Sequence, residues 1–255
     1  MTNVTMVYFS PNGTTRRTLQ YLAAGISRDC RQLDLTPFAG RWGKYYFGPQ
    51  ELVLLGLPVY RGLLPAISEE YFRCLQAEQT PAILVATYGN RAYGNALLEL
   101  KEKAERCGFS CLAAVAAVGE HAVSREFAGG RPDAADREIL FYFGRRILDK
   151  YLQQGRGTLP AVPGNRPYEQ GDLSRTPLIT DGNCNNCGTC AAGCPVAAIN
   201  PADCRETDTR RCIGCMRCVH NCRRQARFLE KSHYDRIVAM LRKTAAIRRE
   251  PELFL

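Results

Sequence analysis

No apolar run in this sequence approaches the ~20 residues that a membrane helix needs; the longest lie around residues 52–60 and 111–118. The first ten residues, MTNVTMVYFS, contain no basic n-region and no long apolar h-region, so no secretory leader is expected. A soluble, cytoplasmic chain with no membrane partner follows as the expectation. A GxGxxG dinucleotide fingerprint is missing. A GxxxxGKS or GxxxxGKT phosphate loop is missing too, since Gly40-Arg-Trp-Gly43-Lys44-Tyr45 has neither the spacing nor the hydroxyl. The CxxxCxxC pattern of a radical initiator is absent, and no solenoid-type repeat is present. What the sequence has in quantity is cysteine, 13 in 255 residues. That is about 5% of the chain, too little for a disulfide-stapled scaffold, and the number is odd. Metal or redox use is the better expectation.

Apolar residues make up 45% and charged residues 23%, near the averages of globular chains, so a sizeable core is expected. The length fits one large or two modest domains, and the sequence changes character near residue 152. Before it, short apolar runs alternate with helical patterns. Residues 4–9, 51–57, 82–87 and 111–118 carry few or no charges, as strands buried on both faces do, and residues 31–35 are a weaker strand candidate. Leu19, Leu22, Ala23 and Ile26 repeat at helical spacing. Asn95 is placed to cap a helix carrying Leu97, Leu100 and Ala104 and stopped by Gly108, and Asp133 to cap one with Ile139, Phe143 and Ile147 on one face. The alternation predicts an α/β fold, a doubly wound parallel sheet of five strands, whose ligands bind beyond the carboxyl ends of the strands. Residues 153–182, rich in Gly, Pro and polar residues, read as a connector long enough to lie along a domain surface. Cysteine motifs dominate residues 183–230, and residues 231–255 read as a C-terminal helix and tail.

The strongest signal is Cys184-Asn-Asn-Cys187-Gly-Thr-Cys190-Ala-Ala-Gly-Cys194-Pro195, repeated as Cys212-Ile-Gly-Cys215-Met-Arg-Cys218-Val-His-Asn-Cys222. Each is CxxCxxCxxxC. This spacing lets three thiolates wrap three corners of a cubane while the fourth reaches the other cluster, the crossed pattern of two-cluster bacterial ferredoxins. Carried over, that pattern gives Cys184, Cys187, Cys190 and Cys222 to one [4Fe-4S] cluster, and Cys212, Cys215, Cys218 and Cys194 to a second. Structural zinc prefers two spaced pairs of ligands and suits a duplicated run of four poorly. Arg223 stands where the second motif would usually have the proline that Pro195 supplies in the first. Cys30, Cys74, Cys107, Cys111 and Cys204 remain as ordinary thiols.

Three loops at the carboxyl ends of the expected strands carry the other signal. Ser10-Pro11-Asn12-Gly13-Thr14-Thr15 sets hydroxyls and a glycine at a helix N-terminus, where N–H groups meet a phosphate. Gly56-Leu57-Pro58-Val59-Tyr60-Arg61-Gly62 and Thr87-Tyr88-Gly89-Asn90-Arg91-Ala92-Tyr93-Gly94 supply aromatic and glycine-rich walls. Together they suit a flavin mononucleotide, with Pro58, Tyr60, Tyr88, Gly89, Asn90 and Tyr93 as wall candidates.

Here the chain resembles flavodoxin, and as a whole it resembles the family in which a flavodoxin-like domain is fused to a bacterial-type two-[4Fe-4S] ferredoxin domain. The segments that carry the resemblance are YFSPNGTTRR, LPVYRGLLP, ATYGNRAYGNALLEL, EHAVSREFAGGRPDAAD, VPGNRPY and both cysteine motifs. It implies a flavodoxin-like FMN-binding domain over residues 1–152 and a small α+β ferredoxin domain over 183–230. It also implies that Ser10, Asn12, Gly13, Thr14 and Thr15 hold the FMN phosphate, while Tyr60 and either Tyr88 or Tyr93 flank the ring. Asn12 replaces a hydroxyl residue common in that loop.

Clusters move single electrons and flavin stores one or two, so the combination predicts an electron relay between a protein donor or acceptor, the clusters and FMN. The alternative is a flavin-dependent reductase of a small-molecule acceptor fed through the clusters, and the sequence leaves open whether the chain is a carrier or an enzyme. The formal charge of +9 resides in residues 205–249, where 13 Lys and Arg face 4 Asp and Glu. A nucleic-acid-binding iron-sulfur sensor is the weaker alternative, because that segment shows no nucleic-acid motif and a positive surface equally suits an acidic electron-transfer partner.

Overall fold

The computed structural model describes residues 3–155, 159, 161–168, 176 and 178–255. In chain order the elements are β1 (Asn3–Tyr8), α1 (Thr14–Ala24), β2 (Arg31–Asp34), a 3-10 turn (Phe38–Arg41), β3 (Tyr45–Phe47), β4 (Glu51–Pro58), α2 (Ser68–Arg73), β5 (Leu75–Ala77), β6 (Thr80–Tyr88), α3 (Ala96–Arg106), β7 (Phe109–Val118) and α4 (Ala134–Gln154). They continue with β8 (Leu178–Thr180), α5 (Thr189–Ala192), α6 (Arg217–His220), β9 (Arg227–Leu229), α7 (Lys231–Thr244) and β10 (Glu252–Phe254).

The five expected strands are β1, β2, β4, β6 and β7, paired in parallel in the order β2-β1-β4-β6-β7. Numbered by their rank within the sheet, this is the 2-1-3-4-5 order of flavodoxin-like α/β folds. The apolar runs are continuous because both faces of the sheet are covered. Leu19, Leu22, Leu140 and Ile147 of α1 and α4 bury one face with Met6, Leu52 and Ile83; Tyr71, Leu97 and Leu100 of α2 and α3 bury the other with Val7, Leu55 and Leu84.

A sixth strand corrects the five-strand expectation. β10 pairs antiparallel with β7, Leu253 opposite Val115, so the tail expected beyond the last helix returns to close one edge of the sheet. The expected face of α4 also shifts. Leu140, Gly144 and Ile147 are its buried line, with Ile139 and Phe143 only half-buried, because α4 crosses α1 at Gly25. A Cβ on Gly144 would lie 2.2 Å from the carbonyl oxygen of Leu22, and one on Gly25 would lie 2.2 Å from that of Phe141. Asp133 caps α4 as expected, in a reciprocal pair with Asp136. Asn95 precedes α3 but does not cap it with its side chain, which accepts instead from Asn165 N at 2.9 Å.

That contact lays the described part of the connector against α3, where Arg166 Nε donates to Glu102 at 2.7 Å. α4 runs two residues into the expected connector and β8 lies within it; residues 156–158, 160, 169–175 and 177 fall outside the described set. β8 and β9 form a two-stranded antiparallel ribbon around the cysteine motifs, with the one-turn helices α5 and α6 between them. The small unit is thus α+β.

Replacing Gly144 by alanine forces backbone apart at the α1–α4 crossing. G144A is expected to lower unfolding stability by about 1–3 kcal/mol, measured by chemical denaturation. A change indistinguishable from zero would mean that the crossing can relax.

Candidate functional site

A cavity of about 260 Å3 opens at the carboxyl edge of the parallel strands. One wall comes from the loops after β1, β4, β6 and β7, and includes Ser10, Thr14, Tyr60, Tyr88 and Gly119. The opposite wall is Ile213, Gly214 and Met216 from the second cysteine motif, with His233, Ile237, Met240 and Leu241 of α7. Sequence reasoning did not find this α7 roof, although the amphipathic pattern of α7 signals that one side needs a partner.

Of the eleven residues expected to bind FMN, Ser10, Asn12, Thr14, Thr15, Pro58, Tyr60, Tyr88 and Gly89 line the cavity. Gly13 lies on the outer side of the same loop, in a neighbouring cleft with Arg17 and Arg125. Its φ of 81° is left-handed, and a Cβ built on it would meet nothing within 4 Å. Ser10 Oγ accepts from Arg16 N at 3.0 Å, whereas the N–H groups of Thr14 and Thr15 open the helix and have no intrahelical acceptor. Thr15 Oγ1 is taken up by Thr87 Oγ1 at 2.5 Å. Asn12 turns its amide to the Cys215 carbonyl oxygen, to which it donates at 2.8 Å, because the second cysteine motif packs on this loop.

Asn90 and Tyr93 are placed elsewhere. Asn90, 4% exposed, donates to the carbonyl oxygens of Ala245 and Ile247 and accepts from Arg249 N. Its amide is consumed by the returning tail. The Tyr93 hydroxyl donates to Glu252 of β10 at 3.0 Å, its ring set edge-on to Tyr88 at 5.3 Å. Tyr88 is therefore the one of the two that faces the cavity.

The loop between β7 and α4 closes the cavity from the side. Phe127 plugs into Val238, Leu241 and Ala245, and Arg242 pairs with Glu126 at 2.8 Å. His121 of this loop lines the cavity, its ring packed on Gly89 and its Nδ1 accepting from Val123 N at 3.2 Å. Burial, helped by the Arg91 charge, pulls its pKa down to about 4. His220, at the end of α6, reaches the Ala122 carbonyl oxygen at 2.8 Å.

The eight motif cysteines divide between two further cavities. Cys184, Cys187, Cys190 and Cys222 line one of about 420 Å3, and Cys194, Cys212, Cys215 and Cys218 line a tight one of about 20 Å3. Among the described residues, no three His, Cys, Asp or Glu side chains converge as a single metal ion would require. The fourth cysteine of each motif accepts the same backbone bond at 3.3 Å: Ala198 N to Cys194 Sγ, and Ala226 N to Cys222 Sγ. Burial pushes the Cys215 thiol up to about 12 and the Cys190 thiol up to about 11. The sequence reading left Cys204 among the ordinary thiols and did not single out Arg227; Cys204, 1% exposed, shares the larger cavity, and so does Arg227, 3% exposed.

No protein-family model matches the chain, and no curated protein matches it. Among solved structures, a WrbA-like flavodoxin from Agrobacterium tumefaciens is 14% identical and covers 60% of this chain and 99% of its own, with a TM-score of 0.41. An archaeal flavodoxin is 14% identical and covers 58% and 97%, with a TM-score of 0.40. The flavodoxin of Streptococcus pneumonia TIGR4 is 13% identical and covers 58% and 98%, also with a TM-score of 0.40.

His121 is neutral at pH 7. Because its pKa is about 4 in the folded chain and ~6.5 in the unfolded one, the unfolded state binds more protons between those values, and stability falls as the pH drops through that window. Histidine NMR is expected to show no protonation of this ring until near pH 4; titration near 6.5 would contradict its burial. Relative to H121Q, the native chain is expected to lose about 2 kcal/mol between pH 7 and pH 5.

Proposed function

We propose that the chain is a flavo-iron-sulfur electron-transfer protein, relaying electrons between a redox partner, two [4Fe-4S] clusters and FMN. The shared cavity carries this reading. Its walls join the loops expected to hold a flavin to Ile213, Gly214 and Met216, which lie inside the second cysteine motif. A flavin bound there would lie against the loop that bears Cys212, Cys215 and Cys218.

The residues present fit both groups. For FMN, the N–H groups of Thr14 and Thr15 suit a phosphate, and Tyr60 and Tyr88 supply aromatic walls. For the clusters, Cys184, Cys187, Cys190 and Cys222 would form one ligand set and Cys194, Cys212, Cys215 and Cys218 the other, the crossed division that the two cavities also make. A cubane spreads four ligands over its corners, whereas zinc draws four onto one ion. When bound, the clusters supply one-electron steps and the flavin one- or two-electron storage. The chain contributes placement: Cys187 is exposed, while Cys215 and Cys218 are buried, Cys215 between Gly214 and Met216, which line the flavin cavity. Exposed Arg223 and Arg224 flank the Cys187 side and suit an acidic redox partner. The roof of α7 favours a relay over a reductase open to small-molecule acceptors.

Anaerobic purification with metal, sulfide and flavin quantitation tests this reading. One FMN and about eight irons per chain are expected; zinc in place of iron, or no flavin after gentle reconstitution, would overturn it.

A further inference from the structure

The two cysteine motifs repeat at a constant offset, which exposes one substitution between them. Cys184 and Cys212, Cys187 and Cys215, Cys190 and Cys218, and Cys194 and Cys222 are each 28 residues apart. The backbone keeps the same offset. α5 begins at Thr189 and α6 at Arg217, and left-handed residues recur at Asn186 and Gly214, Gly188 and Met216, and Ala197 and Gln225. At this offset the counterpart of Ile199 is Arg227. Ile199 is buried in the apolar cluster of the small unit, and Arg227 is buried just as fully, at 3% exposure.

A buried guanidinium demands a partner, and an isolated one in an apolar interior is costly. Arg227 Nη1 donates to the Cys204 carbonyl oxygen at 2.5 Å and Nη2 to Thr207 Oγ1 at 2.6 Å, both neutral. Nε is buried and has no hydrogen-bond partner. No carboxylate pairs with it among the described residues, although 14 other ion-pair contacts are formed. What does surround it is thiols. It lines the cavity of Cys184, Cys187, Cys190 and Cys222. Its side chain also lies within hydrogen-bonding reach of the thiol of Cys218, which belongs to the other set.

We propose that Arg227 is a built-in counter-charge shared by the two cluster sites, holding their reduction potentials up and offsetting the repulsion between two reduced clusters. The inference rests on the cluster assignment above. A thiolate-ligated cluster is an anion, and each electron it accepts adds a negative charge, so a fixed neighbouring cation favours the reduced form. Such a charge, shielded from solvent, acts with little screening by salt. The apolar residue that the first copy places at the equivalent position provides no such term.

The test is a redox titration of the reconstituted full chain, followed by electron paramagnetic resonance, for the native protein, R227I and R227K. R227I installs the residue of the other copy and is expected to lower the one-electron reduction constant of at least one cluster by tenfold or more, about 59 mV. R227K keeps the charge and is expected to stay within threefold of native. Eight irons with unshifted potentials in R227I overturn this inference alone, as does an equal shift in R227I and R227K. No iron in the native chain overturns the cluster assignment as well. A measurement on the native sequence needs no variant: with 15N-labelled arginine, the reduced clusters are expected to show a guanidinium nitrogen coupling, and its absence overturns the inference.

Discussion

The side-chain amide of Asn90 is the joint on which the two parts of the molecule close. It sits in a left-handed conformation, φ 63°, at the end of the central strand β6, and its three bonds all go to residues 245–249. Beyond it, Arg248 pairs with Asp133 at 2.8 Å, and the Arg249 carbonyl oxygen accepts from Arg131 at 2.7 Å. Arg131 is itself locked in a buried pair with Asp136, Nε to Oδ2 at 2.8 Å. The tail then enters the sheet as β10. With its end fixed in this way, α7 has one place to go, over the cavity, where Phe127 gives its apolar side a socket. Buried polar bonds of this kind set register, since breaking any one leaves a desolvated group behind.

Between the parallel-sheet domain and the cysteine motifs one kind of contact recurs, in which a side chain of one meets a backbone carbonyl of the other. Asn12 reaches Cys215, Arg41 reaches Pro195, Arg217 reaches Pro11 and His220 reaches Ala122. Arginine suits this role because its fork of donors can serve several carbonyls at once. Arg41 shows it, with Leu35 and Thr36 as acceptors in addition to Pro195. The same use explains much of the basic segment. Arg205 and Arg224 donate to the carbonyls of Cys184 and Asn183, Arg227 to that of Cys204, and Arg242 and Arg248 form ion pairs. Part of the charge that stands out in the composition therefore ties loops together, although Arg205, Arg210, Arg211, Arg223 and Arg224 all stay exposed.

The five parallel strands were legible because a strand buried on both faces must be apolar throughout, a property that needs no knowledge of its neighbours. β10 was not, since a three-residue edge strand with exposed Glu252 has no periodicity to detect. Asn90 shows a different limit. A polar residue between glycine and arginine in a loop at the sheet's carboxyl edge reads as a ligand contact, and nothing local reveals that its acceptors lie 155 and 157 residues away. Tyr88 and Tyr93 were indistinguishable for the same reason, and β10 separates them by claiming the Tyr93 hydroxyl.

The cysteine motifs carry this distinction furthest, since two segments with the same spacing and the same turns end in different surroundings. Cys187 is exposed while its counterpart Cys215 is buried. The backbone repeats, so the difference comes from docking: the second copy lies under Asn12 and the loop after β1, and the first faces outward. Local sequence encodes what each segment can bind, whereas long-range contacts decide which copy is shielded. Arg227 is where the two levels meet. It is a local departure from the repeat, visible only after the copies are superimposed on the 28-residue offset, and its consequence depends on an interior that neither copy builds alone.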